Sequence, residues 1–137
     1  TGLATLRRDG FASMTADAAG GRLTTRPVRF EGDRLFANVA CAGGEMRVAV
    51  LDREGGAVAG LGAADCEPLS IDSTRVEVRW ASGQGLAALG GEPVRFEFHL
   101  KGGALYAFWV TDDPGGASRG YVAAGWPGLV GGRDLPG

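Results

Sequence analysis

The sequence predicts an all-β protein, a two-layer antiparallel β-sandwich of jelly-roll-like form. Apolar and polar residues alternate in short runs, the period of a half-buried strand. Glycine doublets at 20, 43, 55, 90, 102, 115 and 131 separate those runs. Strands recurring every ~8–12 residues with glycine turns are the pattern of a sandwich or barrel. No long stretch carries apolar residues at helical spacing, and only "GLAALGG" at 85–91 reads as a helical turn.

Taken in order, "GLATLRR" and "FASMTA" alternate and flank Asp9-Gly10, a pair that favours a two-residue hairpin turn. "RPVRFEG", "RLFANVA" and "EMRVAVLD" follow as strands, with a short strand near 57–59 and then loop to residue 74. In "TRVEVRW", Val76, Val78 and Trp80 share one face, and Arg75, Glu77 and Arg79 the other. In "PVRFEFHL", Val94, Phe96, Phe98 and Leu100 point together, opposite Arg95, Glu97 and His99. Each is a strand with one buried and one wet face. "ALYAFWV" is apolar on both faces: Leu105, Ala107 and Trp109 against Tyr106, Phe108 and Val110. Such a strand is central or covered on its outer side. The domain is expected to span 1–125, with 126–137 an irregular tail.

The chain has 137 residues, enough for one domain with a real core. Its 25 glycines would suit a disordered chain, but 45% of residues are hydrophobic and patterned. No apolar run is long enough for a membrane helix. The start at Thr1, without a signal-peptide pattern, reads as a trimmed or processed product. A net charge of −2 argues against neutralising nucleic-acid phosphates. Charge is uneven. Residues 1–35 hold six arginines against four acids, and residues 43–72 six acids against two arginines. The two regions are solvated faces or the poles of a docking surface. Cys41 and Cys66 either close a disulfide, worth roughly 3 kcal/mol by chain entropy, or stay buried thiols.

Catalytic signatures are missing. His99 is the single histidine and lies on a wet strand face, without a nucleophile elbow. "GQGLAALGG" has the wrong glycine spacing for a dinucleotide loop. Asp65, Asp72, Asp112 and Asp113 lack the spacing of a calcium loop. No cofactor and no metal is expected.

Several segments together are similar to a β-sandwich module at the C-terminal end of secreted bacterial proteins. Those proteins carry a β-propeller resembling glycoside hydrolases of the fructosidase or sialidase type. The matching stretches are "GLATLRRDGFASM", "GRLTTRPVRFEG", "GGEMRVAVLD", "DCEPL", "RW", "LGGEPVRFEFHL" and "ALYAFW", within residues 2–125. The resemblance implies a secreted or periplasmic, noncatalytic accessory module. It would bind a polysaccharide or oligosaccharide, or brace an adjacent catalytic domain upstream of Thr1. The alternative is a structural or oligomerising domain without a ligand.

For a glycan, the expected contacts are the exposed aromatics Tyr106, Trp109, Tyr121 and Trp126, since aromatic faces stack on sugar C–H groups. Arg75 and Arg79 on the wet face of their strand would bond hydroxyls. For docking, the expected contacts are Arg7, Arg8 and Phe11. The plainer reading of that stretch is a turn whose arginines pair with nearby carboxylates.

Overall fold

The computed structural model describes residues 1–120 and 133–135. Among the described residues seven strands form: β1 (Met14–Ala16), β2 (Gly21–Thr24), β3 (Arg34–Ala40), β4 (Glu45–Leu51), β5 (Asp72–Val78), β6 (Arg95–Lys101) and β7 (Gly103–Thr111). "GLAAL" supplies a single 3-10 turn, Leu86–Leu89. One sheet has the order β1-β7-β3-β5 and the other β2-β6-β4, all pairs antiparallel. Odd strands lie in the first sheet and even strands in the second. Every connection therefore crosses between layers, the wrapped path of a jelly roll. Leu69 bridges Met46 on β4, at the edge where a further strand would sit.

The expected inward faces are the observed ones for β5 and β6. Val78, Trp80, Phe96, Phe98 and Leu100 join Leu35, Val39, Met46 and Val48 in one core between the sheets. Phe98 and Phe108 meet at 4.9 Å between ring centroids. Trp80 buries its ring and donates its indole N–H to the Val48 carbonyl at 3.0 Å. A buried Trp needs such a partner for its one donor.

Two glycine doublets make the closest backbone approach. Gly43-Gly44 carries the chain from β3 to β4, and Gly102-Gly103 from β6 to β7. The two crossovers lie side by side. A Cβ on Gly44 would overlap the Lys101 carbonyl, and one on Gly103 would lie 2.6 Å from the Ala40 oxygen. Only glycine lets both crossovers pass.

Two expectations are corrected, and one open alternative is decided. First, Asp9-Gly10 does not close a hairpin. The turn is centred on Arg8-Asp9, with Gly10 N–H donating to the Arg7 carbonyl at 2.9 Å and Asp9 at φ 51°. No strand precedes it: residues 1–13 form an arm, and "RPVRFEG" contributes one bridge, Val28 to Val94. A strand needs a partner edge, and these stretches run over the body instead. Residues 57–59 are likewise one bridge, Ala57 to Leu51.

Second, Tyr106 and Trp109 do not point opposite ways. The β3–β7 register passes from Asn38↔Ala107 to Val39↔Leu105, which leaves Tyr106 as a bulged residue. A bulge inserts one residue and reverses the alternation beyond it. Leu105, Phe108 and Val110 therefore pack toward the core, while Trp109 stacks on Phe36 at 6.0 Å.

Third, of the two possibilities for the cysteines, the structure has free thiols, both buried. Cys41 donates to the Leu69 carbonyl, and Cys66 accepts the Val48 N–H. Burial pushes the Cys66 thiol up, more than the Val48 amide and Arg47 pull it down, so it stays protonated and unreactive.

Candidate functional site

The outer face of the four-stranded sheet gathers most of the residues singled out in the sequence. β3 presents Arg34, Phe36 and Asn38 outward, β7 presents Trp109 and β5 presents Arg75 and Glu77. Asn38 is 1% exposed, a polar side chain in the middle of a buried strand. Both neighbouring strands are out of step beside it. β7 bulges at Tyr106, and β5 shifts register between Ala37↔Val76 and Val39↔Ser73.

The N-terminal arm fills that gap. Arg7 Nε donates to Asn38 Oδ1 at 2.6 Å, and Arg7 Nη2 donates to the Val39 carbonyl at 3.0 Å. The Asn38 side-chain amide donates back to the Arg8 carbonyl at 2.6 Å. Arg7 also pairs with Asp72 and lies over the Tyr106 ring, 4.8 Å from its centroid. One guanidinium thus uses its planar fork on a buried amide, a backbone carbonyl, a carboxylate and an aromatic face.

Arg8 is fastened as well, at 2.8 Å to Asp134 Oδ1. Burial raises the Asp134 carboxyl, but the Ser118 amide N–H and Arg8 outweigh it and hold the group below its ordinary value. Asp134 also accepts the Ser118 N–H at 2.7 Å, so residues 118 and 134 meet beside the arm.

The arginines thus turn inward and the apolar residues of the same arm turn out. Leu3 is 92% exposed, Leu6 58% and Phe11 76%, and Met14, the first residue of β1, is 57% exposed. Among the described residues, just two other large apolar side chains, Ile71 and Leu135, are exposed. Leu6 and Phe11 stand on either side of the Arg7–Gly10 turn.

Trp109 is held by its own loop. Its indole N–H donates to the Gly116 carbonyl at 3.0 Å, and Thr111 Oγ1 donates to the Ala117 carbonyl at 2.7 Å. Gly116 lies against the Phe36 ring and beside Arg75. Residues 113–118 therefore cover part of this face, which answers the doubly apolar pattern of β7: the strand is internal to its sheet and covered outside.

Arg79 stands further along the same side, donating from Nε and Nη2 to Glu77 Oε2. Arg34 Nη1 donates to the other Glu77 oxygen at 2.9 Å. Burial raises the Glu77 carboxyl, but the bonds from Arg79 and Arg34 outweigh it and leave it below the ordinary value. Tyr121 and Trp126 lie outside the described residues.

The structure therefore brings Arg7, Tyr106, Trp109 and Arg75 to one face, with Arg79 at its end and Phe11 on the arm that crosses it. The sequence reading missed Asn38 and Asp134, which lock the arm. Its one available signal for Asn38 was a lone amide at an outward position in the apolar run "RLFANVA".

Against the charged outer face of the smaller sheet, His99 bonds Glu97 at 2.7 Å. No group of three or more metal-ligating side chains occurs among the described residues. No helix among them is long and apolar enough to cross a membrane. Compared with protein-family models, curated proteins and solved structures, the chain matches none.

Proposed function

We propose that this chain is a noncatalytic β-sandwich module that braces a neighbouring domain, gripping it through the apolar side of its N-terminal arm. The observation that carries the reading is the division of labour within residues 3–14. Arg7 and Arg8 fasten the arm to the module, while Leu3, Leu6, Phe11 and Met14 stay in water. Large exposed apolar side chains gathered in one short segment are what an interaction surface offers a partner. A fixed arm lowers the ordering cost of binding, since its backbone is already placed. The resemblance supplies the partner class, a catalytic β-propeller domain of a secreted carbohydrate-active protein.

Glycan stacking on β7 is the second reading. The bulge supports it by bringing Tyr106 and Trp109 to one side. Both rings already have partners, Arg7 over one and Phe36 beneath the other, which favours bracing.

The test places a photo-crosslinking phenylalanine analogue at position 6 or 11, with position 54 as control, in the chain within its natural polypeptide or complex. Crosslinks from 6 and 11, mapped to one surface of a catalytic domain and absent from 54, are the expected result. Crosslinks to a second copy of this chain would replace bracing by self-association. Crosslinks confined to the chain's own sandwich would overturn both.

A further inference from the structure

The two sheets close differently at their two sides. On the side of β4 and β5 the intervening chain bridges both: Cys66 meets Trp80, and Leu69 meets Met46. On the other side the edge strands are β1 and β2, three and four residues long. An apolar slot of about 90 Å³ opens there, lined by Met14, Ala16, Leu23, Phe98, Leu100 and Leu105. Phe98, Leu100 and Leu105 belong to the core, so the slot leads from the surface toward the space between the sheets.

A missing side chain leaves the room. Gly21 also lines the slot, pairs with Leu100 and shares its inward face. A Cβ at Gly21 would meet the Ala16 Cβ at 3.5 Å, an ordinary contact, and nothing closer. Its φ is not positive. Neither crowding nor backbone conformation therefore demands glycine at this position.

Cations stand at the mouth. Arg22 lines the slot and also a wider hollow of about 370 Å³, shared with His99 and Lys101. The Arg22 guanidinium is 66% exposed and lies 3.9 Å from Glu97, beyond hydrogen-bond reach. Lys101 has no ion pair among the described residues. The two carboxylates nearby are already engaged. Glu97 accepts from Thr24 and bonds His99, and Glu45 accepts from Arg47. Arg22 and Lys101 therefore keep N–H groups for an incoming anion.

Slot and basic mouth meet at Arg22. Water in the slot finds few polar partners, so the space favours hydrocarbon. A carboxylate matches the planar fork of an arginine. An alcohol leaves the cations without a counter-charge, and an amine is repelled by them. We infer that the slot takes the alkyl chain of a free, medium-chain fatty acid whose carboxylate pairs with Arg22. Its volume equals that of about three waters at ~30 Å³ each, which suits the end of one chain and not a two-chain lipid. Of the arm's exposed apolar residues, the slot shares Met14 alone. The crosslinking test of bracing uses positions 6 and 11, so the two readings are tested separately.

The test is amide chemical-shift titration of the ¹⁵N-labelled chain with hexanoate, acetate, 1-hexanol and hexylamine at up to tens of millimolar. Saturable shifts at residues 14–16, 21–23 and 98–105 are expected with hexanoate. Acetate should bind at least tenfold more weakly, since each buried methylene is worth roughly a factor of four. Hexanol should also bind about tenfold more weakly, and hexylamine not at all. Arg22→Gln should weaken hexanoate about tenfold, as loss of one charged hydrogen bond implies, and leave hexanol unchanged. Gly21→Val should fill the slot and abolish binding with melting temperature retained. Arg22→Gln carries the test if Gly21→Val fails to fold. Each of four results would overturn the inference: no saturable shift with hexanoate, shifts elsewhere on the module, hexanol binding as tightly as hexanoate, or hexanoate binding unchanged in either folded variant. Binding to phosphatidylglycerol vesicles without binding to hexanoate would replace the free acid by a membrane surface and overturn it too.

Discussion

Gly44→Ala is expected to destabilise the module by about 3 kcal/mol, while Gly43→Ala leaves it nearly unchanged. The two glycines are adjacent in one turn, so composition and propensity do not separate them. Their surroundings do. A Cβ at Gly44 would overlap the Lys101 carbonyl and lie 2.6 Å from the Gly102 oxygen, whereas one at Gly43 meets nothing within 4 Å. Neither glycine has positive φ, so the contrast is one of space and not of backbone strain. Overpacking against rigid backbone costs about 1–3 kcal/mol and sometimes more. In thermal melts the difference between the variants should be roughly 10 °C for a chain of this size. Equal melting temperatures would mean that the two crossovers are not in contact.

Arg7→Ala should cost about 2–4 kcal/mol, far above the ~0.5 kcal/mol of an ordinary surface arginine. The loss does not come mainly from the exposed Asp72 pair, since such pairs contribute little. It comes from Asn38, whose buried Oδ1 loses its donor, from the Val39 carbonyl beside the bulge, and from the bared Tyr106 face. Arg7→Lys should recover little, because a lysine ammonium does not reproduce the planar fork. Asn38→Ala combined with Arg7→Ala should cost less than the sum of the two, because removing both partners leaves fewer orphaned groups. Additive losses in denaturant unfolding would show that the two side chains do not act together.

The fold class was legible because period-two alternation reports directly which side of a strand is buried. β3, β4, β5 and β6 lie close to where their patterns place them. Trp80, Phe96 and Phe98 are core because each shares a face with other apolar residues. The arm was misread because alternation describes a strand but does not supply the edge it must pair with. Leu3 and Leu6 belong to a stretch read as a strand, yet no strand lies beside them. The faces of β7 were misread because period-two reasoning assumes an unbroken ladder, and one bulged residue at Tyr106 reverses it.

The candidate sites were legible only in part. Arginines at 7 and 8 could be recognised as ligand or docking groups, or as partners of nearby carboxylates, by residue type alone. Their true partners, Asn38 and Asp134, lie 31 and 126 positions away in sequence and meet them only through the fold.

The central claim is that the N-terminal arm is a fixed part of the module, clamped by Arg7 and Asn38 and carrying its apolar side chains outward. Backbone ¹⁵N relaxation on the isolated chain tests it most directly. Residues 7–10 should show order parameters near those of β3, about 0.85, and Arg7→Ala should lower them toward the flexible range. Order parameters below about 0.6 from residue 3 through residue 11 in the unaltered chain would contradict the claim.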